Sequence, residues 1–154
     1  MESKIKIRGW FTLKQVRNGK IILERTINNM VVNAGLAQVA GLILSDIGGT
    51  AFDYIALGTG TTAVVATDTT LETEITSGGG ERTSGTGTRI TTSVTNDTAQ
   101  LGATFNFTGS YSLTESGIFN ASSSGTMLSR QVFSAVNVIS GDKLEITWKI
   151  QVGT

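Results

Sequence analysis

The chain of 154 residues contains no histidine, no cysteine and no proline. Without His and Cys, the Ser-His and Cys-His forms of nucleophilic catalysis are excluded. The same absence removes disulfide staples and the Cys/His ligand sets of structural zinc. A domain of this length must therefore hold itself together by its core alone. Charge is scarce as well: 16% of residues are ionisable, and 12 basic side chains balance 12 acidic ones. A general nucleic-acid binder would carry a basic surplus, so no nucleic-acid partner is expected. Long apolar runs are missing too. Val31 to Leu44 is interrupted by Asn33, Gly35, Gln38 and Gly41 and falls short of the about 20 residues that cross a bilayer. No membrane partner is expected, and no signal peptide is read at the N-terminus, which points to synthesis in a cytoplasm.

What is abundant is Thr, Ser and Gly, the composition of a β-rich chain with many turns. Ile5, Ile7, Phe11 and Leu13 alternate with Lys6, Arg8, Trp10 and Thr12, the period of a half-buried strand. Asn18-Gly19 follows, a dipeptide that accepts positive φ and so closes a two-residue hairpin turn. A hairpin over 4–27 is expected. Asn33 is placed as the N-cap of a helix over 33–45, with Leu36, Val39, Ala40 and Ile43 facing a sheet. Phe52 to Leu57 reads as a buried strand. The stretch 61–88 reads as a long irregular loop, with its Gly-rich part, Ser77 to Gly80 and Ser84 to Gly87, expected to be mobile. Alternating strands then fill 89–152, including one from Arg89 to Thr95, one with a bulge at Gly117, and a last one carrying Leu144, Ile146, Trp148, Ile150 and Val152. Seven or eight strands, one helix and a single domain over 1–154 make the fold class mainly β, an antiparallel barrel or sandwich.

Candidate chemistry is thin. Gly58-Thr59-Gly60-Thr61-Thr62 lacks the Lys of a phosphate loop and the third Gly of a dinucleotide fingerprint, so a tight turn is the plain reading. Asp68, Glu72 and Glu74 offer oxygen ligands of the kind Ca²⁺ takes, without the spacing of a calcium loop. Glu115 and Arg130 read as a cross-strand ion pair. Asp53, Glu115 and Asp142 provide no spacing that selects a glycosidase pair. The sequons at Asn96, Asn106 and Asn120 are what a Thr- and Ser-rich chain produces by chance. No catalytic residue, metal or cofactor is assigned. Trp10 departs from the pattern, since it lies on the polar face of its strand. Trp and Arg anchor protein contacts, so Arg8, Trp10, Arg17 and Asn18 are the candidate partner contacts.

The runs Asn33-Ala34-Gly35-Leu36-Ala37, Tyr54 to Thr62, Ala66 to Glu74, Phe105 to Thr108, Leu113 to Asn120, Met127 to Arg130 and Ser140-Gly141-Asp142 together resemble the small virion proteins of tailed phages. They are most similar to the capsid decoration, or cement, proteins with a β-tulip fold. That resemblance implies a β-barrel-like domain with a spine helix that assembles as a homotrimer on the exterior of the virion head. The partners it implies are the major capsid protein and further copies of the chain. A tail or tail-fibre protein for host attachment and a carbohydrate-binding module are the alternatives. The first would show coiled-coil or repeat sequence and the second clustered aromatics.

Overall fold

A computed structural model describes residues 5–43 and 48–153. The chain folds as two antiparallel sheets. The strands are β1 (Lys6–Arg17), β2 (Lys20–Asn28), β3 (Met30–Val31), β4 (Tyr54–Gly58), β5 (Thr83–Ser84), β6 (Thr86–Ile90), β7 (Thr98–Asn106), β8 (Tyr111–Phe119), β9 (Met127–Val138) and β10 (Lys143–Gly153), with one helix, α1 (Asn33–Ile43). One sheet has the order β2-β1-β10-β7-β6 and the other β3-β9-β8-β4-β5. Eight strands of five residues or more match the count read from the sequence, and β3 and β5 add two residues each.

The alternation in the sequence is spent on this sandwich. Phe11 and Leu13 of β1, Leu101 and Phe105 of β7, and Leu144, Ile146 and Trp148 of β10 turn inward from one sheet. Ile55, Leu57, Leu113, Ile118, Phe133 and Val136 meet them from the other. Phe11 is the hinge of the packing: its ring stacks on Phe133 with centroids 5.2 Å apart and tilts against Trp148 at 4.9 Å. Such aromatic pairs add about 1 kcal/mol each beyond burial.

The chain changes sheet at both edges. It passes from β2 to β3 through Asn29 and from β5 to β6 through Gly85. No ladder pairs the strands across either corner, so the mainly β class holds while the arrangement is an open sandwich rather than a closed barrel.

Several local readings are corrected. The hairpin and its turn form as expected, with Asn18 at φ 51° and Gly19 at φ 74°. The helix packs the other way round. Gly35 and Gly41 are its buried residues, whereas Leu36, Ala40 and Ile43 face outward and Val39 is half-buried. Its floor is main chain: a Cβ on Gly35 would overlap the Leu128 backbone. Only glycine lets the axis come this close, and close approach outweighs burial of the leucines. Val32, not Asn33, occupies the cap, since its carbonyl accepts the first helical bond from the Leu36 amide at 3.0 Å. Residues 44–45 of the expected helix lie outside the described residues.

The strand expected from Arg89 to Thr95 ends at Ile90. There the Asp97 carboxylate takes the amides of Thr92, Ser93 and Val94 at 2.8–3.0 Å and curls the chain. The bulge expected at Gly117 is absent from that position, which pairs regularly with Arg130. The irregularities in the β8–β9 ladder fall between Leu113 and Glu115 and between Ile118 and Phe119.

Gly35→Ala is expected to lower stability by about 1–3 kcal/mol, the cost of overpacking a close contact. Gly87, where a Cβ would meet open space, tolerates Ala. Urea unfolding midpoints of the two variants check this difference.

Candidate functional site

The four candidate contacts do not form one patch. Arg8 is exposed on the outer face of β1, across from Gln151, and Trp10 is half-buried two residues on, between Asn28 and Lys149. Arg17 and Asn18 lie at the other end of the strand, about 30 Å from Arg8 at strand rise, and both have structural work. The Asn18 backbone makes the turn. Arg17 donates Nε to Asp142 Oδ1 and Nη2 to Asp142 Oδ2, both at 2.7 Å. Asp142 is 1% exposed and also accepts from Gln15 Nε2 at 2.9 Å and the Ile139 amide at 3.1 Å. The Arg17 hydrogen bonds hold this carboxyl well below the usual carboxylate range, against the opposing effect of its burial. The first hairpin is thereby tied to the turn before β10.

A second, larger cluster lies on the other sheet. Glu115 is fully buried in β8 and Arg130 is 3% exposed in β9. Arg130 donates Nε to Glu115 Oε2 at 2.9 Å and Nη1 to Asp68 Oδ2 at 2.9 Å. Its Nη2 stands 2.8 Å from the same Glu115 oxygen and 3.8 Å from Glu72 Oε2, in ion contact but out of line for a hydrogen bond. Burial is the strongest influence on Arg130 and works against its charge. The bonds to Asp68 and Glu115 outweigh it and raise the pKa above the ordinary arginine value.

The expected ion pair is therefore the centre of a clamp. Glu115 Oε1 accepts from the amides of Gly60 at 3.0 Å and Thr73 at 2.7 Å, and Oε2 from the Glu72 amide at 3.1 Å. Glu72 in turn takes the Thr61 and Thr62 amides, each at 2.8 Å, which lowers its pKa. Main-chain bonds from Thr59 to Thr73 and from Ile75 to Leu57 close the loop on itself. Gly58 and Gly60 are required by this approach, because a Cβ on either would overlap Glu115. The Gly58-Thr59-Gly60 turn thus holds an anion after all, but the anion is the protein's own Glu115.

The next stretch is fixed as well. Arg82 pairs with Glu74 through Nε at 2.8 Å and Nη2 at 2.6 Å, donates Nη1 to the Ala121 and Ser124 carbonyls, and lies over the Phe119 ring. Tyr111 Oη donates to the Ser77 carbonyl at 2.8 Å. The expected long loop 61–88 is irregular in backbone but anchored along its length, its Gly-rich part included, and its last residues belong to β5 and β6. Asp68 and Glu72 converge on a guanidinium and Glu74 on a different one. Among the described residues no cluster of acidic side chains is arranged to hold a metal ion.

The candidate carboxylates Asp53, Glu115 and Asp142 are scattered. Glu115 and Asp142 are buried in separate ion pairs, and Asp53 is exposed. Trp148 is in the core, so Trp10 has no second Trp beside it. What the sequence did not reveal was the clamp. Its signal was the coincidence of a Gly-x-Gly turn with an acidic residue at a strand position that alternation places inside. No known protein family, curated protein or solved structure matches the chain.

Arg130→Met leaves Glu115 buried without its cation and is expected to cost about 3–5 kcal/mol in urea unfolding. Glu115→Gln is expected to speed amide exchange at Gly60 and Thr73 while β1 and β10 keep their protection. Asp142 has a folded pKa below its unfolded value of about 3.9, so its stabilising share is complete above that value and disappears as pH falls through the folded one. Stability should thus decline below about pH 4, and Asp142→Asn should be less stable at pH 7 with a shallower acid limb.

Proposed function

We propose that the chain is a non-enzymatic decoration protein that binds the exterior of the expanded head of a tailed phage and stabilises it against the pressure of packaged DNA. The sequence resemblance supplies the setting. The observation that carries the docking role is the outer face of the first sheet. There Trp10 stands among Arg8, Thr12, Thr147 and Lys149 on the adjacent strands β1 and β10, a lone aromatic anchor on a polar, threonine-rich plane. Supporting it, Glu115, Arg130 and Asp142 are consumed in structural ion pairs, which leaves them no part in substrate chemistry.

The mechanism is linkage. A protein that binds only the expanded lattice lowers the free energy of that state in proportion to RT ln(1 + [L]/Kd). As a homotrimer touching several major capsid subunits at once, it would add avidity to a modest single contact.

Co-sedimentation with shells that lack the protein, before and after expansion, tests this, with isolated tails as a control. Saturable binding to expanded shells alone is the expected result. Trp10→Ala is expected to weaken it about thirty-fold, the roughly 2 kcal/mol of an interface anchor, while lowering folding stability by no more than about 1 kcal/mol. Binding to tails would favour a tail or fibre protein, and binding to neither would remove the docking role.

A further inference from the structure

Four strand edges border the two sheets, and they are protected unequally. β3 and β5 are two residues long. β2 carries Lys20, Glu24 and Arg25, and its pairing with β1 is broken by a bulge. Short strands, charges and bulges are the usual means of keeping an edge from pairing with another chain. β6 has five residues, Thr86-Gly87-Thr88-Arg89-Ile90, regular pairing with β7 and no bulge. Its far side has no main-chain partner among the described residues.

The inner face beside this edge is hollow. Gly87 lies across from Leu101 and Arg89 across from Ala99, so these two are the inward positions of β6, and Gly87 fills nothing. A cavity of about 490 Å³ opens there between the sheets, lined among others by Leu42, Phe52, Ile118, Leu128, Trp148 and Ile150. Its size is that of a ligand pocket. Asp53 lies on one lip and Arg89 on the other. Both are exposed, and neither makes an ion pair among the described residues.

We infer that β6 is a docking edge for an extended segment of a partner protein, which adds as a sixth strand and places apolar side chains in the cavity. The free row of backbone groups requires an extended chain, since nothing else pairs with it residue by residue. The period of two then sets the chemistry. The residue opposite Gly87 points inward and is apolar. The residue two positions away faces Arg89 at the distance of a cross-strand pair and is acidic. The inference concerns a different edge from the Trp10 face and does not rest on the capsid setting.

The test uses the intact protein carrying Trp10→Phe, so that Trp148 alone reports from the cavity wall. The probes are blocked hexapeptides of Thr with Val, Ile, Leu or Phe at two alternate positions and Glu at the next alternate position, toward either end. At least one is expected to bind saturably, to change Trp148 emission and to slow amide exchange in Thr86–Ile90. Replacing its Glu by Lys is expected to weaken binding at least five-fold, and this preference disappears in Arg89→Gln. Gly87→Leu fills the cavity from within and is expected to weaken binding at least ten-fold. Phe52→Trp narrows it from the opposite lip and serves if Gly87→Leu fails to fold. Absence of binding across the set, binding unchanged in both cavity variants, or protection appearing in β2 instead would overturn the inference. So would uptake of an anilinonaphthalene dye by the cavity without any peptide binding, which would make it a small-molecule site.

Discussion

One buried carboxylate organises half of this molecule. Glu115 sits at the centre of a sheet, out of water, where an isolated charge would be prohibitive. It is tolerable because the Arg130 cation and three main-chain amides converge on it. The dependence runs both ways. The stretch between β4 and β5 carries many backbone groups that no ladder satisfies, and Glu115, Glu72 and Asp68 give them acceptors. A long segment without regular structure thus becomes part of the solid, without a disulfide or a proline. The opposite sheet repeats the device on a smaller scale, with Asp142 taking Arg17, Gln15 and an amide, and Asp97 capping the turn after β6.

The sparse charge of the chain is therefore placed with purpose. A carboxylate that ties down amides acts locally and directionally, as a bridge does between exposed side chains only weakly.

How much of this was legible depended on the reach of each signal. Where a strand has one face in the core, its neighbours in sequence report it, and β1, β7 and β10 could be read from alternation alone, whereas β8 is buried on both faces. The helix misled because its periodic Leu36 and Ile43 are the residues left outside. Two glycines decided the packing, and a glycine has no hydropathy to reveal its face. Arg89 to Thr95 misled because Asp97, beyond the alternating run, captured its amides. The Glu115 clamp was the hardest to foresee, since it joins residues more than forty positions apart and is written in no local pattern. Of the four proposed contacts, the two in the hairpin turn were identified by residue type, but the structure gives them partners or backbone duties within the chain.

The place of β10 has a consequence for how the molecule is born. It lies between β1 and β7 in the first sheet, and β1 pairs along its length with a strand more than a hundred residues later. During synthesis the opening hairpin therefore lacks its β10 partner, and the Trp148 that packs on Phe11, until that strand has left the ribosome. Closing so long a loop is slow, and an unfinished sheet is open to pairing with other nascent chains. The dense acceptor network of the other sheet, built from residues 54–138, can form before that moment. The topology therefore favours an order in which the second sheet forms first and β10 inserts last.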